Sequence, residues 1–201
     1  MKLNLIIILA IAFVGCNLKT PKTTDTLPQI QTSDLAKELI DNGFLKYADS
    51  SKIDSLKGEM ISTFYIYNED NFKIAHIDAE ELSEFSFNFF LSNLNKMLAK
   101  RNYKLSARKL NNDDRSFDAE INGERVELFT QKDMEDNSFW DKAPRNFFKK
   151  LNEQLSSSNV EEQFYLLYSD NDLHTMLLTK KQFAIIAKYY NGNLHETPYL
   201  P

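Results

Sequence analysis

Asp118 and Glu127 lie on either side of Asn122-Gly123, a dipeptide that signals a two-residue β-hairpin, and their spacing is where this sequence most clearly gathers chemical groups. With Asn122 and Gly123 as the loop, Ile121 faces Glu124, Glu120 meets Arg125, Ala119 opposes Val126, and Asp118 stands directly across from Glu127. Phe117 then opposes Leu128 on the apolar face. Opposed carboxylates weaken a hairpin by some tenths of a kcal/mol and push each other's pKa values apart. Such a pair, with Glu120 beside it, suits a bound cation, a cationic partner surface, or a general acid and base. The competing reading is that Lys104 or Arg108 on the neighbouring strand neutralises the pair, or that both side chains splay into water.

Other reactive side chains are sparse. His76-Ile77-Asp78-Ala79-Glu80 sets metal-ligand types at a strand-to-helix junction, but Asp78 as helix cap and Glu80 and Glu81 at the positive helix end account for them without a metal. Asp170 and Asp172 lack the longer alternating pattern of a calcium loop and fit a turn. His174 and His195 are the other two histidines. Neither a phosphate-cradling glycine loop nor a Gly-x-Ser-x-Gly elbow occurs, which argues against nucleotide enzymes and covalent catalysis; no cofactor and no resident metal is expected. Trp140, among charges in a stretch read as irregular from Asp133 to Lys142, is a candidate anchor for a protein partner.

Cys16 is the single cysteine of the 201 residues. It follows Lys2 and the apolar run Leu5 to Val14, which as a helix would rise about 15 Å, too little for a hydrocarbon core of about 30 Å. A charged start, a short apolar core and a small residue at the end read as an export signal spanning residues 1–15. Phe13-Val14-Gly15-Cys16 resembles the lipobox of bacterial lipoproteins, with Phe13 where that family more often carries Leu. The resemblance covers about the first twenty residues. It implies cleavage before Cys16, acylation of Cys16 with two or three chains, and anchoring to the bilayer of the cell envelope. A single chain would bind only marginally. The competing reading is an ordinary secretory signal with an incidental or buried cysteine. Residues 17–33, rich in Thr with two prolines, read as a flexible tether with a reach of about 20–25 Å. In lipoproteins of the kind it resembles an acidic run after the cysteine often marks surface export; none follows Cys16, so the resemblance implies a domain facing the periplasm.

Residues 34–201 are enough for one domain. The net charge of −5, without a basic cluster, argues against nucleic acid as partner. Helical spacing predicts helices from Asp34 (capped by Ser33, ended by Gly43), from Ile53, from Ala79 to about Arg101, around Pro144 to Leu155, and after Thr179, where Gln182 completes a capping box. Strands are predicted at 72–77, 103–109, 116–121, 124–129, 164–168 and 173–178. The order ααβαβββαββα makes an α+β domain, with a mostly antiparallel sheet of five or six strands covered by helices. The functional expectation is an envelope lipoprotein that binds another protein, in an accessory or inhibitory role. The alternative is a carboxylate- or metal-dependent hydrolase using Asp118 and Glu127.

Overall fold

The computed structural model describes residues 29–110 and 116–201. Cys16, the signal segment and the tether up to residue 28 lie outside the described residues.

Two antiparallel three-stranded sheets form the framework. One has the order β1-β6-β5, from β1 (Ile74–His76), β6 (His174–Leu178) and β5 (Gln163–Leu167). The other has the order β2-β3-β4, from β2 (Ala107–Lys109), β3 (Ser116–Ile121) and β4 (Glu124–Thr130). The α+β class holds, but the single larger sheet does not. Helix α6 (Phe139–Ser157) packs on β4 of one sheet and β5 of the other, so its apolar face divides what the strand count alone would join.

The β1-β6-β5 sheet is buried on both sides, as the apolar run at 164–168 predicts. Alternate residues serve different cores. Ala75, Phe164, Leu166 and Leu177 join α4 (Asn88–Ala99) and α6 in one cluster. Ile74, Tyr165, Leu167, Met176 and Leu178 face α1 (Gln29–Asp41), α2 (Ile53–Thr63) and α7 (Lys180–Tyr189) in the other. That two-residue alternation makes one short sheet the wall between two cores.

Several local expectations hold. Thr179 and Gln182 form a reciprocal capping box on α7. Asp78 caps α3 (Ala79–Ser83) by accepting from Glu80 N and Glu81 N. Gly43, at φ 74°, closes α1 in the left-handed conformation that glycine adopts freely. The Asn122-Gly123 hairpin has the expected register from Ile121↔Glu124 to Asp118↔Glu127.

Others are corrected. Helix α1 begins at Gln29, so Ser33 sits inside it and does not cap it, and the last residues assigned to the tether are helical. The helix expected from Ala79 to Arg101 is broken: Phe85 takes φ 62°, after which α4 restarts at Asn88. One straight helix cannot turn both Phe85 and Phe87 inward, because they lie about 200° apart around it. The break lets Phe85 reach Phe129 while Phe87 and Phe90 meet Phe147. A register shift between Phe117 and Asp118 pairs Phe117 with Phe129 rather than Leu128, and the two rings stack at 4.6 Å. The region expected to be irregular holds α5 (Gln131–Glu135), opened by a Thr130–Asp133 capping box, and the start of α6. Pro144 therefore lies in the second turn of α6, not at its beginning.

Candidate functional site

All three histidines of the chain gather at one end of the β1-β6-β5 sheet. His76 and His174 are cross-strand partners with ring centroids 4.8 Å apart. Tyr168, just past β5, sets its ring edge-on to His174 at 5.8 Å and lies 4.9 Å from His195. Phe89, at the start of α4 and 49% exposed, packs against His76 from the other side at 5.7 Å. Of these rings Tyr168, His174 and His195 line an open cleft of about 640 Å³ together with the turn Ser169 to Asp172.

The backbone holds this end in an unusual shape. Tyr168 at φ 62° and Asp170 at φ 54° both take left-handed conformations around the turn, and Asp78 at φ 61° enters α3 beside it. A bulky residue there is strained by roughly 1–2 kcal/mol. Tyr168 is held by its hydroxyl, which donates to Glu196 Oε2 at 2.9 Å, and by its carbonyl, which accepts from Tyr199 Oη at 2.8 Å. Tyr67 donates to the same Glu196 oxygen at 3.0 Å and lies 2.8 Å from the Tyr190 hydroxyl. Burial raises the phenol pKa of all three tyrosines, Tyr190 to about 12. Tyr67 and Tyr168 stay neutral donors to one carboxylate, with Tyr190 bonded to Tyr67.

Carbonyl partners fix the imidazole tautomers. His76 Nε2 lies 2.8 Å from Asn171 O and His174 Nδ1 lies 2.7 Å from Asp172 O, so each of these nitrogens carries a proton. In the neutral rings His76 Nδ1 and His174 Nε2 are then bare. Among the described residues no group of three or more His, Cys, Asp and Glu is disposed to hold a metal ion. The rim carries Asp170 and Asp172, and no Lys or Arg lines the cleft. Its chemistry is aromatic surface edged with negative charge, suited to a flat or cationic group from a partner.

The hairpin carboxylates are arranged differently from the expectation. Asp118 is buried and forms an ion pair with Arg125, so the guanidinium takes the place a bound cation would occupy. Glu120 stands opposite Arg125 as expected, but its carboxylate is clasped by Arg108 through two hydrogen bonds of 2.8 and 2.6 Å. Glu127 faces solvent. Among the described residues Arg125, rather than Lys104 or Arg108, pairs with Asp118, which remains the cross-strand partner of Glu127. Trp140 is half-buried in the first turn of α6 with its ring 4.2 Å from Phe139.

The opposite end of the same sheet holds a second polar assembly that no motif announces. Lys73, fully buried, forms an ion pair with Glu162 and donates to Gln182 Oε1 at 3.1 Å. Arg101 clasps Glu162 through Nε at 2.6 Å and Nη2 at 2.9 Å, and its guanidinium stacks 3.9 Å over the Tyr47 ring. Burial pushes Lys73 down to about 8, against the pull of Glu162. Burial alone would raise Glu162, but the Arg101 hydrogen bond and the charges of Lys73 and Arg101 outweigh it and leave it below the usual value. Lys73 and Glu162 are 89 positions apart, which is why spacing gives no hint of them.

No family model matches the chain, and no curated protein or solved structure is significantly similar to it.

Proposed function

We propose that this chain is a lipid-anchored protein of the bacterial envelope whose domain docks another protein at the histidine end of its β1-β6-β5 sheet. The anchor reading rests on the sequence: Lys2, the apolar run and Phe13-Val14-Gly15-Cys16, with acylated Cys16 in the bilayer and the domain on the periplasmic side. No helix among the described residues is long and apolar enough to cross a membrane. Replacing Cys16 with Ser should move the protein from the membrane fraction to the soluble one and abolish labelling by radioactive palmitate. Membrane retention of Cys16→Ser would refute acylation as the anchor.

The single observation that carries the docking reading is the cleft itself. Tyr168, His174 and His195 line it at a strained turn edged by Asp170 and Asp172, with no Lys or Arg in the lining, and His76 and Phe89 continue the row of rings from His174. Aromatic groups of this kind anchor protein partners, and the acidic rim favours a partner segment carrying Lys or Arg. The hydrolase alternative needs the Asp118 and Glu127 carboxylates to act together, whereas Arg125 binds one of them and the other faces water.

The test is affinity capture of the full chain from crosslinked native envelope, with wild type and the double variant Asp170→Lys, Asp172→Lys in parallel. A stoichiometric partner lost with the charge reversal supports docking here. A partner retained by that variant but lost with Trp140→Ala would move the interface to α6.

A further inference from the structure

At the Glu162 end the buried charges do not balance. Lys73 and Arg101 have side-chain exposures of 0% and 2%, and the one buried carboxylate between them, Glu162, has 7%. Nearby neutral acceptors are already engaged: Gln182 Oε1 accepts from Lys73 at 3.1 Å, while Met97 O and Phe72 O accept from Arg101 Nη1 at 2.9 and 3.2 Å. A buried cation without its own anion is unfavourable. Here the surplus charge lies beneath an open cleft of about 530 Å³ that Arg101 and Glu162 help to line.

The rim adds charge of the same sign. Lys46 Nζ sits 5.1 Å from the centroid of the Tyr47 ring, and Lys100 Nζ sits 4.5 Å from that of Phe72. Both belong to the cleft lining and both are exposed. Ring contact holds each ammonium at the mouth instead of leaving it free in solvent. Among the described residues neither forms an ion pair within 4.0 Å. Opposing them on the rim is Glu161. Asp49, which feels Lys100, accepts from Ser51 N at 2.9 Å and Ser51 Oγ at 2.8 Å. Asn42, Asn102 and Asn159 add neutral hydrogen-bonding groups to the lining.

We propose that this cleft binds a small oxyanion, the phosphate or carboxylate group of a soluble ligand, gripped by Lys46 and Lys100 above the Lys73–Arg101 floor. Arg101, already clasped by Glu162, contributes its field and not a direct contact. The ammonium groups act as point charges that either oxyanion satisfies. The cleft is wider than one such group, so the ligand has a body that the asparagines address. This site is at the other end of the sheet from the docking cleft and stands whether or not that docking occurs.

The experiment is an NMR titration of the full 15N-labelled chain with inorganic phosphate and, separately, with succinate, each at constant ionic strength set by chloride. Saturable shifts confined to Lys46, Lys100, Arg101, Asn102 and Asn159 are expected, and Lys46→Ala with Lys100→Ala should weaken the affinity at least tenfold. Both lysines are exposed, so the double variant should keep the wild-type spectrum elsewhere. Saturation by phosphate alone assigns a phosphoryl ligand, by succinate alone a carboxylate ligand, and by both a site that reads charge. Shifts that fail to saturate with either probe, or that survive in the double variant, overturn the proposal.

Discussion

At its Glu162 end the β1-β6-β5 sheet hides two cations and a carboxylate beneath side chains, whereas at its His174 end it leaves imidazole, phenol and phenyl rings in reach of water. The five residues of β6 from His174 to Leu178 separate the two, roughly 13 Å of strand. The same strands therefore end in opposite solutions to one problem. Charges taken out of water must be answered by other charges and hydrogen bonds, so the Glu162 end is tightly coupled to stability. Rings left in water gain nothing for the isolated fold, and the His174 end is free to be selected for contact with something else.

Breaking that contrast should give effects of graded size. The largest is expected for Glu162→Gln, which leaves Lys73 and Arg101 buried without a carboxylate. Urea unfolding should show a loss of about 3–5 kcal/mol. Next comes Lys73. Burial holds it at about 8 against the ordinary 10.5, so between those pH values the unfolded chain carries the proton and the folded one does not. Stability must then rise with pH across that window, by about 3 kcal/mol. Lys73→Met should flatten the alkaline rise without lowering stability at pH 7, because Arg101 and Glu162 remain a balanced pair. On the acid side Glu162, held below its ordinary 4.5, contributes stability that is lost as the pH falls through its lowered value.

Effects at the histidine end should be smaller. Tyr168→Phe removes the hydroxyl that donates to Glu196 and should cost about 1 kcal/mol. Phe89→Ala and His174→Ala act on exposed or half-exposed rings and should change stability by less than about 1 kcal/mol, while reducing capture of a partner. A loss of several kcal/mol from Phe89→Ala would show that this ring serves the core and would erase the distinction between the two ends.

What the sequence made legible was local. The Asn122-Gly123 hairpin, the Thr179–Gln182 box, the Asp78 cap and the buried strand at 164–168 are each set by neighbours within a few positions. Illegible features depended on distant packing. Nothing near Phe85 marks a helix break, since the cause is Phe129 in another element. Asp118 looked set against Glu127 because pairing register predicts facing residues, whereas Arg125 reaches two positions along its face to bury that charge. The site was missed for the same reason. His76 and His174 are 98 positions apart in the chain and meet only because β1 pairs with β6. A faint signal did exist for the other end: Lys73 interrupts the apolar stretch from Phe72 to Ile77, and a lysine at such a place needs a partner.

The most direct measurement places a photo-crosslinking amino acid at position 89 and, in a second strain, at position 46, and irradiates both in native envelope. Docking at the histidine end predicts one discrete crosslinked protein from position 89, absent from position 46 and lost when Asp170 and Asp172 are changed to Lys. No product from position 89, or the same product from both ends, would contradict it.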